Sequence, residues 1–234
     1  MRALLLSAGL GTRLQPITNS IPKCLVPING IPLMEYWLKM LTEADVSPIL
    51  VNLHYFVEQV RAYLAISPYR ENVQAVHEKD LLGTGGTVLK NKDFFRDEPF
   101  LLIHGDNFSK FDVRAFINAH SQRPPECEIT MMLFKTETPQ SCGIVKLDDR
   151  GIVQQFYEKV QNPPGNLANG AVYILEPTIL RFLENLDKEF IDFSTEVIPS
   201  YLGKIYTFCN DTYHRDIGDL KSYNQALVDV SKFW

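Results

Sequence analysis

The stretch LLLSAGLGTRLQP, residues 4–16, decides the fold: an apolar run breaks into small residues, two glycines and an arginine close to the start of the chain. A buried strand that feeds a glycine-rich turn opens a βα unit and gathers backbone N–H groups at one point, where a phosphate is the natural guest. Spacing separates the phosphate chemistries that use such a turn. The dinucleotide fingerprint G-x-G-x-x-G needs a small residue where this chain carries Leu14, and an acid near the end of the second strand. The Walker pattern G-x-x-x-x-G-K-[ST] is absent. What remains is a turn in which Gly9 and Gly11 admit close approach of the backbone, followed by Arg13, a fixed cation with several donors suited to gripping an oligophosphate.

Outward from this turn, strand-like apolar runs recur at 2–7, 48–53, 72–76, 99–104 and 127–134, with helix-like stretches between them. The alternation predicts βαβ crossovers and a mostly parallel sheet. Leu33, Trp37, Leu38 and Leu41 share one helical face, which predicts a helix over 31–44 with Pro32 in its first turn. The segments 56–64 and 113–122 repeat the pattern. After residue 140 the texture changes: CGIVKLDDRGIVQQFYEK (142–159) reads as a hairpin about DDRG. Strands follow at 169–175 and 203–210, with helices over 177–185 and 219–234. We therefore expect one α/β domain over 1–234, Rossmann-like, with a mixed, mainly parallel sheet flanked by helices. Residues up to about 135 make its first half, and about 136–234 add antiparallel or mixed pieces, a small lobe that closes over a substrate, and a C-terminal helix.

Composition narrows the function. Hydrophobic residues at 45% and charged residues at 22% of 234 suit an ordinary globular domain able to bury a core. A net charge of −5 argues against a nucleic-acid groove, which needs a positive surface. No apolar run approaches the roughly 20 residues of a membrane span. MRALLLSAG has too short an apolar core for a secretory signal, so a cytoplasmic protein without a membrane partner is expected. Cys24, Cys127, Cys142 and Cys209 lack C-x-x-C spacing and read as reduced thiols.

Ten residues beyond Arg13, Lys23 stands in PKCLVPI (22–28), a segment too apolar for an ordinary exposed lysine, although a snorkelling surface lysine stays open on this stretch alone. An ammonium there can neutralise charge developing on a transferring phosphoryl group. Together GLGTRLQPIT and PKCLVPI resemble the signature of the sugar-phosphate nucleotidylyltransferases, the mannose-1-phosphate guanylyltransferase-like type in compact form. The resemblance continues in order through LLGTGGTV (81–88), LLIHGDN (101–107), the hairpin at 143–159, NGAVYIL (169–175) and HRDIGD (214–219). It implies the fold of the nucleotide-diphospho-sugar transferases, with about 1–135 as the nucleotide-binding half and about 136–234 as the sugar-phosphate-binding half, and a reaction in which a sugar 1-phosphate attacks the α-phosphorus of an NTP and pyrophosphate leaves.

The resemblance also assigns roles residue by residue. Ser7, Ala8, Gly9, Gly11, Thr12 and Arg13 would cradle the triphosphate, with Arg13 and Lys23 stabilising charge during transfer. Gly83, Thr84 and Gly85 would form a second glycine loop on the base and ribose. Asp106, at the carboxyl end of a strand, and Asp216 would hold Mg²⁺, with Asp106 also counted among the catalytic residues. Gly143, Glu158, Lys159 and Asn169 would line the sugar-phosphate side, and DFSTEVIP (192–199) would lie beneath it. His104 and His214 would shape the pocket.

Departures fall at Cys24 and Val160, where the family usually has proline, and at His214, where an aromatic is frequent. The chain ends soon after Asp219, which leads us to expect a minimal catalytic domain. GTP with mannose 1-phosphate or a manno-heptose 1-phosphate is the favoured pair, in the service of cell-surface polysaccharide precursors. Uridylyl transfer to N-acetylmuramic acid 1-phosphate or another hexose 1-phosphate stays open. So do cytidylyl transfer to phosphocholine or a similar phosphate, and a non-catalytic nucleotide-sugar sensor. A homodimer is left open by the family's habit.

Overall fold

In the computed structural model, which describes residues Met1–Trp234, the opening apolar run forms β1 (Arg2–Leu6) and stops where Ser7 begins the glycine turn. The chain continues through β2 (Pro27–Ile28), β3 (Ile31–Pro32), α1 (Leu33–Glu43), β4 (Ile49–Leu53), α2 (Val57–Ile66) and β5 (Val73–His77). Next come α3 (Gly83–Lys90), β6 (Phe100–His104), β7 (Asn107–Lys110), α4 (Val113–Ser121) and β8 (Ile129–Lys135). The remainder holds β9 (Gly143–Leu147), β10 (Val153–Glu158), β11 (Leu167–Leu175), α5 (Thr178–Asn185), α6 (Ile198–Ser200), β12 (Ile205–Cys209), β13 (Tyr213–Asp216) and α7 (Leu220–Phe233). The α/β class with a mixed, mainly parallel sheet and flanking helices is as expected. No helix is long and apolar enough to cross a membrane.

The chain forms two compact units, each assembled from separate segments rather than from one half of the sequence: Met1–Leu81, Ile103–Val113 and Thr212–Trp234 in the first, Leu82–Leu102 and Arg114–Asp211 in the second. In the first unit β1 pairs in parallel with β4, and β4 with β5. Every residue of β4 is buried, as a parallel strand covered on both faces requires. The helix expected from residue 31 begins two residues later. Asn29 and Gly30 both take positive φ and fold β2 onto β3, so Ile31 and Pro32 belong to a small hairpin before α1 starts. Tyr36 of α1 and Tyr223 of α7 donate to the carbonyls of Ile28 and Pro27 at 2.8 and 2.7 Å, tying both helices to that hairpin.

One further pairing in this unit matters for function. β7 runs antiparallel to β13, with Asn107 opposite Asp216. Residues remote in sequence thereby bring the two acidic motifs, LLIHGDN and HRDIGD, to the same place.

The second unit is organised on β8, antiparallel to β11 and parallel to β12. The predicted hairpin is β9–β10, with Glu158 opposite Gly143. Its turn is held by Asp148 Oδ1, which accepts from the N–H groups of Arg150 and Ile152 at 2.9 Å each, while Gly151 takes φ +75°. Phe116 of α4, fully buried, packs on the half-buried Phe208 of β12 with ring centroids 5.3 Å apart.

Candidate active site

Four predicted residues, Arg13, Lys23, Asp106 and Asp216, converge within the first unit. Lys23 Nζ lies 2.8 Å from Asp106 Oδ2 and 3.5 Å from Asp216 Oδ1. Arg13 approaches the other oxygen of Asp216 at 3.7 Å. Lys23 is almost entirely buried, its side chain 6% exposed, whereas those of Asp106 and Asp216 are 43% and 52% exposed. The cation thus meets the carboxylates from inside the protein and leaves them reachable from outside.

The glycine turn explains how Arg13 and Lys23 come together. Gly11 takes φ +64°, and a Cβ on it would sit 3.0 Å from Thr18 Cγ2 and 3.1 Å from Lys23 Cβ, so only glycine lets the turn close on the lysine's stem. Thr18 Oγ1 donates to Gly11 O at 2.8 Å, and Leu14 N donates to the same carbonyl at 2.9 Å. Leu14, which stands where a dinucleotide loop needs a small residue, is fully buried among Val26, Ile28 and Leu33. Gly9 has open space where a side chain would be. Ala8 is buried and Thr12 exposed. The N–H groups of Gly9 to Arg13 enter none of the bonds just described.

Ser7 is placed differently from its expected phosphate contact. Its N–H donates to Asn52 Oδ1 at 2.7 Å, and Asn52 Nδ2 donates to Glu78 Oε2 at 3.0 Å. Asn52 and Glu78 are buried at the carboxyl ends of β4 and β5. The sequence reading missed both; the available signal, for Asn52 alone, was a polar residue near the end of an otherwise apolar parallel strand, where open α/β sheets place functional groups. Gly218 was also missed. A Cβ there would fall 2.7 Å from the Arg13 guanidinium and 3.0 Å from Asp216 Oδ2.

Burial pushes the Asp106 carboxyl up, but the Lys23 ammonium, with His104 nearby, outweighs it and holds the group below the ordinary carboxylate range. His214 lies beside Ser109, Nδ1 to Oγ at 3.3 Å, and burial drives its pKa down to about 3 against the opposing pull of Asp106. It is therefore neutral at pH 7. Burial pushes the Cys24 thiol up to about 12, so the residue in the usual proline position is an inert apolar filler. Asp106 and Asp216 suit a hard divalent cation. No set of three carboxylate, histidine or thiol groups is arranged to hold a metal; around these two carboxylates phosphate and water would complete the shell of Mg²⁺.

The remaining predicted residues lie in the second unit. The glycines of LLGTGG do not form the expected loop; they make the first turn of α3. Gly83 takes φ +71°, a Cβ on Gly85 would sit 2.7 Å from Ile191 Cγ2, and one on Gly86 would collide with Glu189 O. Gly85 N donates to Ile191 O at 2.9 Å, and Phe193 N donates to Thr84 Oγ1 at 2.9 Å. Segment 189–193 lies against these residues closely enough to demand glycine. On the β9–β10 hairpin, a Cβ on Gly143 would fall 2.7 Å from Glu158 Oε2, so the glycine makes room for the carboxylate opposite it. Lys159, at φ +49°, extends to solvent with Nζ 3.2 Å from Glu158 Oε1. Asn169 donates to Tyr173 Oη at 2.6 Å and accepts from Ala171 N at 2.9 Å. Burial raises the Tyr173 phenol's pKa, with Glu158 and Asp192 adding to the shift.

Comparison with known proteins places the chain in a family. The chain is 29% identical to the UTP–glucose-1-phosphate uridylyltransferase of Synechocystis sp., over 98% of this chain and 63% of that protein. It is also 29% identical to the mannose-1-phosphate guanylyltransferase catalytic subunit beta of Drosophila pseudoobscura, over 95% of this chain and 60% of that one. The chain thus spans about three-fifths of the length of these relatives. Its fold is similar to that of HddC from Yersinia pseudotuberculosis, with a TM-score of 0.82 at 23% identity over 98% and 99% of the two chains. The family profile described as nucleotidyl transferase matches residues 2–232, from the first strand through the last helix, and the chain belongs to that family.

Proposed function

We propose that this chain is the catalytic unit of a sugar-1-phosphate nucleotidylyltransferase, joining an NTP and a sugar 1-phosphate to give an NDP-sugar and pyrophosphate. The observation that carries the reading is Lys23 Nζ set against both Asp106 and Asp216 beside the glycine turn. A phosphate oxygen of the sugar phosphate forms the new bond to the α-phosphorus as the α–β bridging bond breaks, so no side-chain nucleophile is needed. Backbone N–H groups of Gly9, Gly11 and Thr12 and the guanidinium of Arg13 take up charge on the departing pyrophosphate. Lys23 meets the α-phosphate. Asp106 and Asp216 would hold Mg²⁺, which neutralises triphosphate charge when bound. Glu158 accepts from sugar hydroxyls, Lys159 holds the sugar's phosphate, and Gly143 and Asn169 shape that side. Gly83, Thr84 and Gly85 serve the base side through the start of α3.

GTP with mannose 1-phosphate is the favoured pair, supported by mannose-1-phosphate guanylyltransferases among the relatives. A UTP and glucose 1-phosphate specificity is the second reading, because the uridylyltransferase relative is equally identical at 29%. A cytoplasmic enzyme follows from such substrates. Purified protein with Mg²⁺, four NTPs and a set of sugar 1-phosphates should release pyrophosphate with one pairing above the rest. Failure with every pair, while an NDP-sugar still binds, would replace the enzyme with a sensor.

A further inference from the structure

We propose that Lys23 is the resting counter-ion of the two carboxylates: without nucleotide its ammonium stands against Asp106 and Asp216 and must leave at least one before both can face a divalent cation. The distances of 2.8 and 3.5 Å put one Nζ on an oxygen of each acid, and Arg13 lies 3.7 Å from the remaining oxygen of Asp216. Two cations therefore balance two anions, with the Lys23 ammonium buried and Arg13 and the two carboxylates open to solvent. A divalent ion arriving alone gains little, since it competes with a positive charge already held at hydrogen-bond distance in a poorly solvated position. The stem of Lys23 is fixed in the short helical turn Lys23–Leu25 and packs close to Gly11, so movement is confined to the tip.

A triphosphate changes the balance. It offers Lys23 and Arg13 new anionic partners and releases both carboxylates outward, where they are already about half exposed. Cation and nucleotide should then bind with positive, reciprocal coupling. Lys23 thus serves as a gate as well as a catalytic group.

The inference rests on Asp106 and Asp216 being the cation's carboxylates, and its test reads cation binding alone, so it can fail separately from transferase activity. Mn²⁺ titration followed by electron paramagnetic resonance, without nucleotide, should show weak binding to the unaltered protein and to Lys23→Arg. Lys23→Met should bind on the order of tenfold tighter or more, and adding Asp216→Asn should cancel that gain. Equal affinity of Lys23→Met and the unaltered protein, or a gain that survives Asp216→Asn, overturns the proposal. Should Lys23→Met not fold, crystals of the unaltered protein soaked in MnCl₂ decide. No anomalous peak beside Asp106 and Asp216, or a peak with Nζ withdrawn from one of them, supports the gate. A peak with Nζ still on both refutes it.

Discussion

Gly218 shows how much of this site is set by a missing atom. Its φ is not in the left-handed region, so the constraint is space alone: a methyl group would occupy the place of the Arg13 guanidinium. The obstructed atoms are the tip of a flexible side chain. Gly218→Ala should therefore leave the melting temperature within about 4 °C while lowering kcat/KM for the NTP on the order of tenfold. Thermal melts and pyrophosphate release check both, and unchanged kinetics would detach Arg13 from its present position. At this scale the sequence was informative where a charge sat in a motif, as with Arg13, Lys23, Asp106 and Asp216. It offered only a positional hint at Asn52 and none at Glu78 or Gly218, whose roles come from what lies opposite them in space. Asn52 is one polar letter in ILVNL, and nothing in its spacing says that it holds the N–H of Ser7.

Among the elements, α3 departs furthest from the sequence reading. Three glycines within four residues argue against a helix, since each costs about 1 kcal/mol relative to alanine. They are tolerated because segment 189–193 packs where their side chains would be. Gly86→Ala, which helix propensity alone would make stabilising, should instead cost about 1–3 kcal/mol through overpacking, measurable by urea unfolding; a gain in stability would show that the segment is not pressed onto the helix. The β7–β13 pair was equally illegible: two four-residue strands with polar content, distant in sequence, carry little local pattern. The longer apolar strands and the hairpin at DDRG were legible because period and turn chemistry agreed there. A second test at this scale concerns α4, where His120 Nδ1 lies 2.8 Å from Thr130 Oγ1 of β8 and Nε2 lies 3.0 Å from Glu176 Oε1. Burial, helped by Arg123, lowers its pKa from 6.5 to about 4. The unfolded chain takes up this proton near pH 6.5 and the folded chain only near 4, so stability is full above 6.5 and falls as pH drops through that window. Between pH 7 and 5 this histidine should account for about 2 kcal/mol of lost stability. His120→Asn should show a flatter decline, and an identical decline would remove His120 as the cause.

Across the whole chain, the acidic net charge argued against a nucleic-acid groove, the scattered cysteines suggested no disulfide framework, and the order of motifs pointed to nucleotidyl transfer. What composition could not supply is the way the units are built. Asp106 and HRDIGD lie far in sequence from the glycine turn and PKCLVPI but belong to the same unit, whereas Gly83, Thr84, Gly85 and the Glu158–Lys159 hairpin belong to the other. The central claim is that the carboxylates held by Lys23 serve nucleotidyl transfer and not only stability. Asp106→Asn tests it most directly, with pyrophosphate release measured on the best substrate pair and folding followed by circular dichroism. The account predicts a folded protein whose kcat is lower by about 10²–10³-fold. A folded Asp106→Asn variant with unchanged turnover would contradict it.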